Sequence, residues 1–207
     1  MTTLSDLRTQ VARDLRDSGN ATWTTTELDD LINEGVDALA DFYPKEIVST
    51  FATVAAATYS YSASTFSSMY RLDIHNSGAT YLRTLPHGIG AGPNSGWEMH
   101  GSVVYLPPNL SLTAGELLRG FGYGRYTQLS ASSSTTDLDT SGVWAVREFA
   151  VAEGYSRLLI DRALFQQWQG NSNATDIGAI QLASLAEAAQ RKWDRQKVRL
   201  RRPKKTG

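Results

Sequence analysis

Apolar residues divide the chain into three stretches of different period. Over the first 46 residues they recur at helical spacing. Leu4, Leu7, Val11 and Leu15 form one stripe, and Leu28, Leu31, Ile32, Val36, Leu39 and Phe42 form a second. Thr3 or Ser5 can cap the first helix, and Gly19 with Asn20 is expected to end it. Thr24 or Thr25, with Glu27 in the first turn, opens the second, and Pro44 closes it. The pattern predicts an αα-hairpin over residues 1–46 that buries one face of each helix.

From 47 to 127 the period shortens. Tyr59, Tyr61, Tyr70, Tyr81, Tyr105, Tyr123 and Tyr126 lie among many Thr, Ser and Val residues. The short runs at 70–74, 80–84, 97–100, 102–106 and 116–123 read as strands. Turns fall at 76–78 and 100–101, and Pro107-Pro108 stops a strand. This stretch is expected to be a small antiparallel β-domain inserted between helical parts.

Helical spacing returns at 128–190. Residues 130–136 are almost all Ser and Thr and read as a linker with little reason to be rigid. Ser141 can then cap a long helix with Val143, Val146, Phe149, Ala150, Tyr155, Leu158 and Leu159 on its core face, running on through Leu164 and Phe165 to a break at Gly170-Asn171. A last helix, opened by Asn173 or Thr175, carries Ile177, Ile180, Leu182, Leu185, Ala189 and Trp193 and stops before Pro203. Its second half is mostly basic and is expected to find no place in the chain's own core. The order helices, strands, helices gives an α+β class: a mainly α-helical bundle with an N-terminal αα-hairpin, two long C-terminal helices and an inserted β-domain.

Charge sharpens this picture at one place. The formal net charge is only −1, yet residues 191–207 hold nine basic residues and one acid, so the remainder is strongly acidic. An acidic body with a basic run, Arg191–Lys205, reads as a chain that engages a partner through that run. Phosphates would reward its Lys and Arg without sequence specificity. An acidic protein surface would use them as well, and Trp193, Val198 and Leu200 add apolar contacts that a purely electrostatic DNA tail does not require.

Candidate chemistry elsewhere is thin. With no cysteine, thiolate nucleophiles and disulfides are excluded. His75, His87 and His100 have no metal-ligand spacing and read as structural or surface residues. The glycines at 88, 90 and 92 superficially resemble a phosphate loop, but Pro93 follows where a helix would have to start. Asp29, Asp30, Asp37 and Asp41 cluster on the second helix and read as a solvated face. Trp23, Trp97, Trp144 and Trp168 read as packing or interface residues. No cofactor, metal site or catalytic set is expected. The first residues are too charged for a signal peptide, and the stretch 51–57 is too short for a bilayer, so a soluble chain is expected.

The order of these segments resembles one known family. Leu4-Ser-Asp-Leu7, then Trp23-Thr-Thr-Thr-Glu27-Leu28-Asp-Asp-Leu-Ile32-Asn33 closing at Phe42-Tyr43-Pro44, is similar to the N-terminal helices of tailed-bacteriophage head–tail connector adaptor proteins. Gly101-Ser-Val-Val-Tyr-Leu-Pro107-Pro108 resembles the family's strand-then-proline stretch, and 138–144 leads into a similar long helix. The resemblance implies a virion structural protein at the head–tail junction, assembled in the host cytoplasm and not an enzyme. It implies a homo-oligomeric ring of twelve seated under the portal protein, extending the DNA channel, touching the passing genome and offering a platform to a downstream neck or tail protein. It implies that 191–207 is a portal-docking tail. There Arg191, Lys192, Arg195, Lys197, Arg199, Arg201, Arg202, Lys204 and Lys205 would face portal acids, with Trp193, Val198 and Leu200 as apolar anchors. A DNA-binding accessory protein using the same tail is the alternative reading.

Overall fold

A computed structural model describes residues 2–88, 96–108, 110–171 and 177–201. The chain forms two compact units. The first takes residues 2–43 and 126–201, and the second takes Pro44–Arg125.

The first unit is built of helices. It holds α1 (Leu4–Asp14), α2 (Thr25–Ala40), α3 (Thr140–Ile160), α4 (Arg162–Asn171) and α5 (Ala179–Leu200). α1 and α2 each start on a reciprocal capping box, Thr3 with Asp6 and Thr24 with Glu27. Their apolar stripes are buried as the spacing requires, with Leu4, Leu7, Val11, Leu28, Leu31, Ile32, Val36 and Leu39 all withdrawn from solvent. α3 is the helix on which the others pack, and glycines let neighbours approach it. A Cβ on Gly35 of α2 would stand 3.1 Å from both the Phe149 ring and the Val146 carbonyl oxygen.

Several helix ends differ from the sequence expectation. α1 stops at Asp14, ahead of Gly19, because the buried Asp17 carboxylate gathers the N–H groups of Ala21, Thr22 and Trp23 at 2.8–3.0 Å and fixes the turn to α2. α3 is capped by Asp139, whose carboxylate accepts from the Gly142 N–H at 2.7 Å, and not by Ser141. The expected single helix through Phe165 breaks at Asp161, which leaves helical geometry and accepts the N–H groups of Ala163 and Leu164 to start α4. The expected start of the last helix at Asn173 or Thr175 lies outside the described residues, and α5 begins after Gly178.

The Ser/Thr stretch is no loose linker. The N–H groups of Leu4 and Ser5 donate to the carbonyls of Ser134 and Ser132, and Thr3 bridges Thr135. These carbonyls satisfy donors that a helix start leaves unpaired. Asn33 of α2 holds the same stretch by donating to and accepting from the Leu129 backbone.

The strands of the second unit pair antiparallel. β1 (Lys45–Thr53), β7 (Leu117–Gly124), β3 (Ser68–His75) and β4 (Tyr81–Leu85) form one sheet in the order β1-β7-β3-β4. β2 (Ser60–Ser62), β6 (Val103–Tyr105) and β5 (Glu98–His100) form a second in the order β2-β6-β5. Its core includes Phe66, Leu72, Ile74, Trp97, Val104 and Leu118. The β1 and β2 strands are additional to those read from the sequence. The mixed α+β class is as read from the sequence.

Candidate docking surface

α5 contains the basic run's first half and fixes which of its side chains reach solvent. It continues one buried stripe over its whole length: Leu182, Ala186, Ala189, Trp193 and Leu200. Trp193 is only 5% exposed and stands edge-on to Phe42 and Phe149, each with ring centroids 5.2 Å away. Two expectations are corrected here. The second half of α5 does bury itself in the chain's own core, and Trp193 and Leu200 are held inside the subunit. Neither is turned outward as an anchor for another protein.

The opposite side of α5 is charged. Arg191, Lys192, Arg195, Arg199 and Arg201 are exposed, and Lys197 is half-buried. Arg191 pairs with Glu187, and Lys197 pairs with Asp194 at 2.5 Å. The hydrogen bond from Lys197 holds the Asp194 carboxyl below its ordinary range. The Lys197 ammonium also lies 5.7 Å from the Trp193 ring centroid. An apolar residue on this face is Val198, 81% exposed among Arg191, Asp194, Arg195 and Arg199. Arg202, Lys204 and Lys205 lie outside the described residues.

Ile180, read from the sequence as a core residue, is instead 84% exposed, and Leu159 is half-exposed. Ile180 precedes Val198 by eighteen residues, which is five helical turns, so the two share one side of α5. That phase was the available signal, and it was masked because Ile177 and Leu182 flank Ile180 and are buried.

The other sequence candidates do not gather into a site. His75 is buried with Nδ1 2.9 Å from the Ala79 carbonyl oxygen. His87 packs edge-on to Trp97, and His100 sits 3.1 Å from Glu98. Gly88 has a φ of 105°, and residues 89–92 of the glycine-rich stretch lie outside the described residues. Asp29 leaves the acidic cluster for a two-bond pair with Arg8. Asp30, Glu34, Asp37 and Asp41 remain in a row along α2. Trp23, Trp97 and Trp168 are fully buried, and Trp144 is half-exposed beneath the Arg147 guanidinium. Among the described residues, no group of three or more His, Asp or Glu could hold a metal ion, and no helix is long and apolar enough to cross a membrane.

No curated protein matches the chain. One family does, over nearly its whole length and across both units. The sequence profile of the SU10 adaptor protein family matches residues 2–205, so the chain belongs to that family and is a structural adaptor protein of a bacteriophage.

Proposed function

We propose that this adaptor forms a ring of twelve identical subunits below the portal at the head–tail junction. The ring extends the DNA channel and offers a platform to the next neck or tail protein. The observation that carries this reading is the division of α5. Its apolar side is consumed within the subunit, while Arg191, Arg195 and Arg199 on its other side, and Arg201 just after it, are displayed to solvent. A basic display of that kind suits an acidic docking surface on the portal. The grip falls to Arg199, Arg201, Arg202, Lys204 and Lys205. The acidic remainder of the chain suits a channel in which DNA slides past and is not held.

The test is electron microscopy of the protein mixed with portal, using the full chain and a chain truncated after Leu200. Truncation at this point spares Trp193 and Leu200, so the helical core stays whole. Rings capping the portal with the full chain, and bare portals with the truncated one, are the expected result. If the truncation leaves portal capping intact but abolishes a salt-sensitive retention of duplex DNA, the run is a DNA-binding device instead.

A further inference from the structure

We propose that neighbouring subunits meet by seating the outer face of α5 on one copy against the acidic side of α2 on the next. This rests on the ring reading and names the surfaces that would close the ring.

α2 contributes a stripe of one sign. Asp30, Glu34, Asp37 and Asp41 follow one another at steps of four, three and four residues, so they fall within about 60° of one another around the helix and extend along about 16 Å of it. There is no Lys or Arg in α2 to offset them. Asp30 and Asp41 are exposed at the two ends; between them Glu34 pairs with Arg157 at 2.6 Å, and the half-buried Asp37 accepts a hydrogen bond from the Gln128 amide at 2.8 Å.

α5 contributes arginines, interspersed with Glu187, which pairs with Arg191, and Asp194, which pairs with Lys197. Arg191 and Arg195 lie on the side marked by Val198 and Ile180, the two most exposed large apolar residues of this helix. By helical rise, Ile180 and Val198 stand about 27 Å apart, one toward each end of the face. A charged face bounded by exposed apolar residues is suited to burial against protein.

Both helices pack on α3 and turn these stripes to solvent. They are therefore two different patches of one subunit, complementary in charge. Contact between unlike patches is head-to-tail, and head-to-tail contacts generate rings when the rotation closes. An isologous dimer centred on either patch alone would instead set acid against acid or base against base.

The experiment uses charge reversal on full-length protein with portal. One variant carries Asp30→Lys and Asp41→Lys, a second carries Arg191→Glu and Arg195→Glu, and a third combines all four. The positions are exposed, and unchanged thermal transitions establish that each variant folds. Each pair alone is expected to lower the fraction of portals carrying complete rings by about tenfold or more, because like charges then face each other, and the combination is expected to restore it. A combined variant no better than the worse pair would overturn the interface. So would an α2 pair without effect beside an α5 pair that strips every copy from the portal, which would assign the α5 face to the portal. If the wild-type protein decorates portals only as scattered single copies, the ring reading itself fails and the interface with it.

Discussion

Trp193 stands edge-on to Phe149 with the two rings inclined at 75°, so the helix that carries the basic run is anchored from inside its own subunit. The arginines that follow Trp193 are displayed from a fixed helix. Trp193→Ala removes a buried indole that touches both Phe42 and Phe149. It is expected to cost about 3–5 kcal/mol of unfolding free energy. Val198→Ala, at an exposed position, is expected to change stability by less than about 0.5 kcal/mol. Urea titrations of the two variants check this; equal losses would mean that Trp193 is not the anchor.

Much of this was legible in the sequence, and the failures have local causes. The stripes of α1 and α2 were readable because their buried residues keep helical phase between clear caps. The stripe of α5 was readable only as far as Trp193. Leu200 continues it seven residues on, but the basic residues between them suggested a helix with no core to join. β1 was missed because Ile47 and Val48 are adjacent and point to opposite faces, which blurs the alternation of a half-buried strand. The Ser/Thr stretch looked unstructured because what orders it is remote, in α1 and Asn33. At the docking face the residue types were legible. Which of them face outward was not, since that depends on how α5 is rotated against α3.

Asp17 sets the turn between α1 and α2, and its carboxylate is the acceptor for the buried N–H groups of Thr22 and Trp23. Asp17→Ala leaves both donors without a partner and is expected to cost about 2–4 kcal/mol. Asp17→Asn keeps one acceptor oxygen and is expected to cost less. Denaturant unfolding should rank the variants in that order, and equal losses would show that the charge and not the acceptor geometry holds the turn.

Gly122 lies in β7, between β1 and β3, where the strands come too close for a side chain. A Cβ there would stand 2.2 Å from the Ser68 carbonyl oxygen and 2.9 Å from the Phe66 ring. Relief requires β3 to move, because the nearest obstacle is backbone. Gly122→Ala is expected to destabilise the β unit by at least about 1–3 kcal/mol. Amide exchange should accelerate in β1, β3 and β7 while α3 and α5 keep their protection. Equal acceleration in the helices would mean that the two units unfold as one.

Asp6 closes the capping box of α1, and the direction of its acid response follows from its partners. Its carboxylate accepts from the Thr3 backbone N–H at 3.0 Å and from the Thr3 hydroxyl at 2.7 Å. The backbone hydrogen bond chiefly, and the hydroxyl after it, hold its pKa below the ordinary 3.8. Both donors favour the ionised form, so the folded chain binds this proton less readily than the unfolded chain does. The contribution of the cap is therefore fully present above the unfolded value and is lost as pH falls through the lower folded value. Acidification from neutrality is expected to leave the α1 cap intact until below 3.8 and then to fray the first turn. Asp6→Asn should remove that dependence, because a neutral amide does not titrate. The measurement is the carboxyl carbon shift of Asp6 together with the amide shifts of Leu4–Leu7 across the acid range. A midpoint above 3.8 would contradict the hydrogen-bond account of this cap.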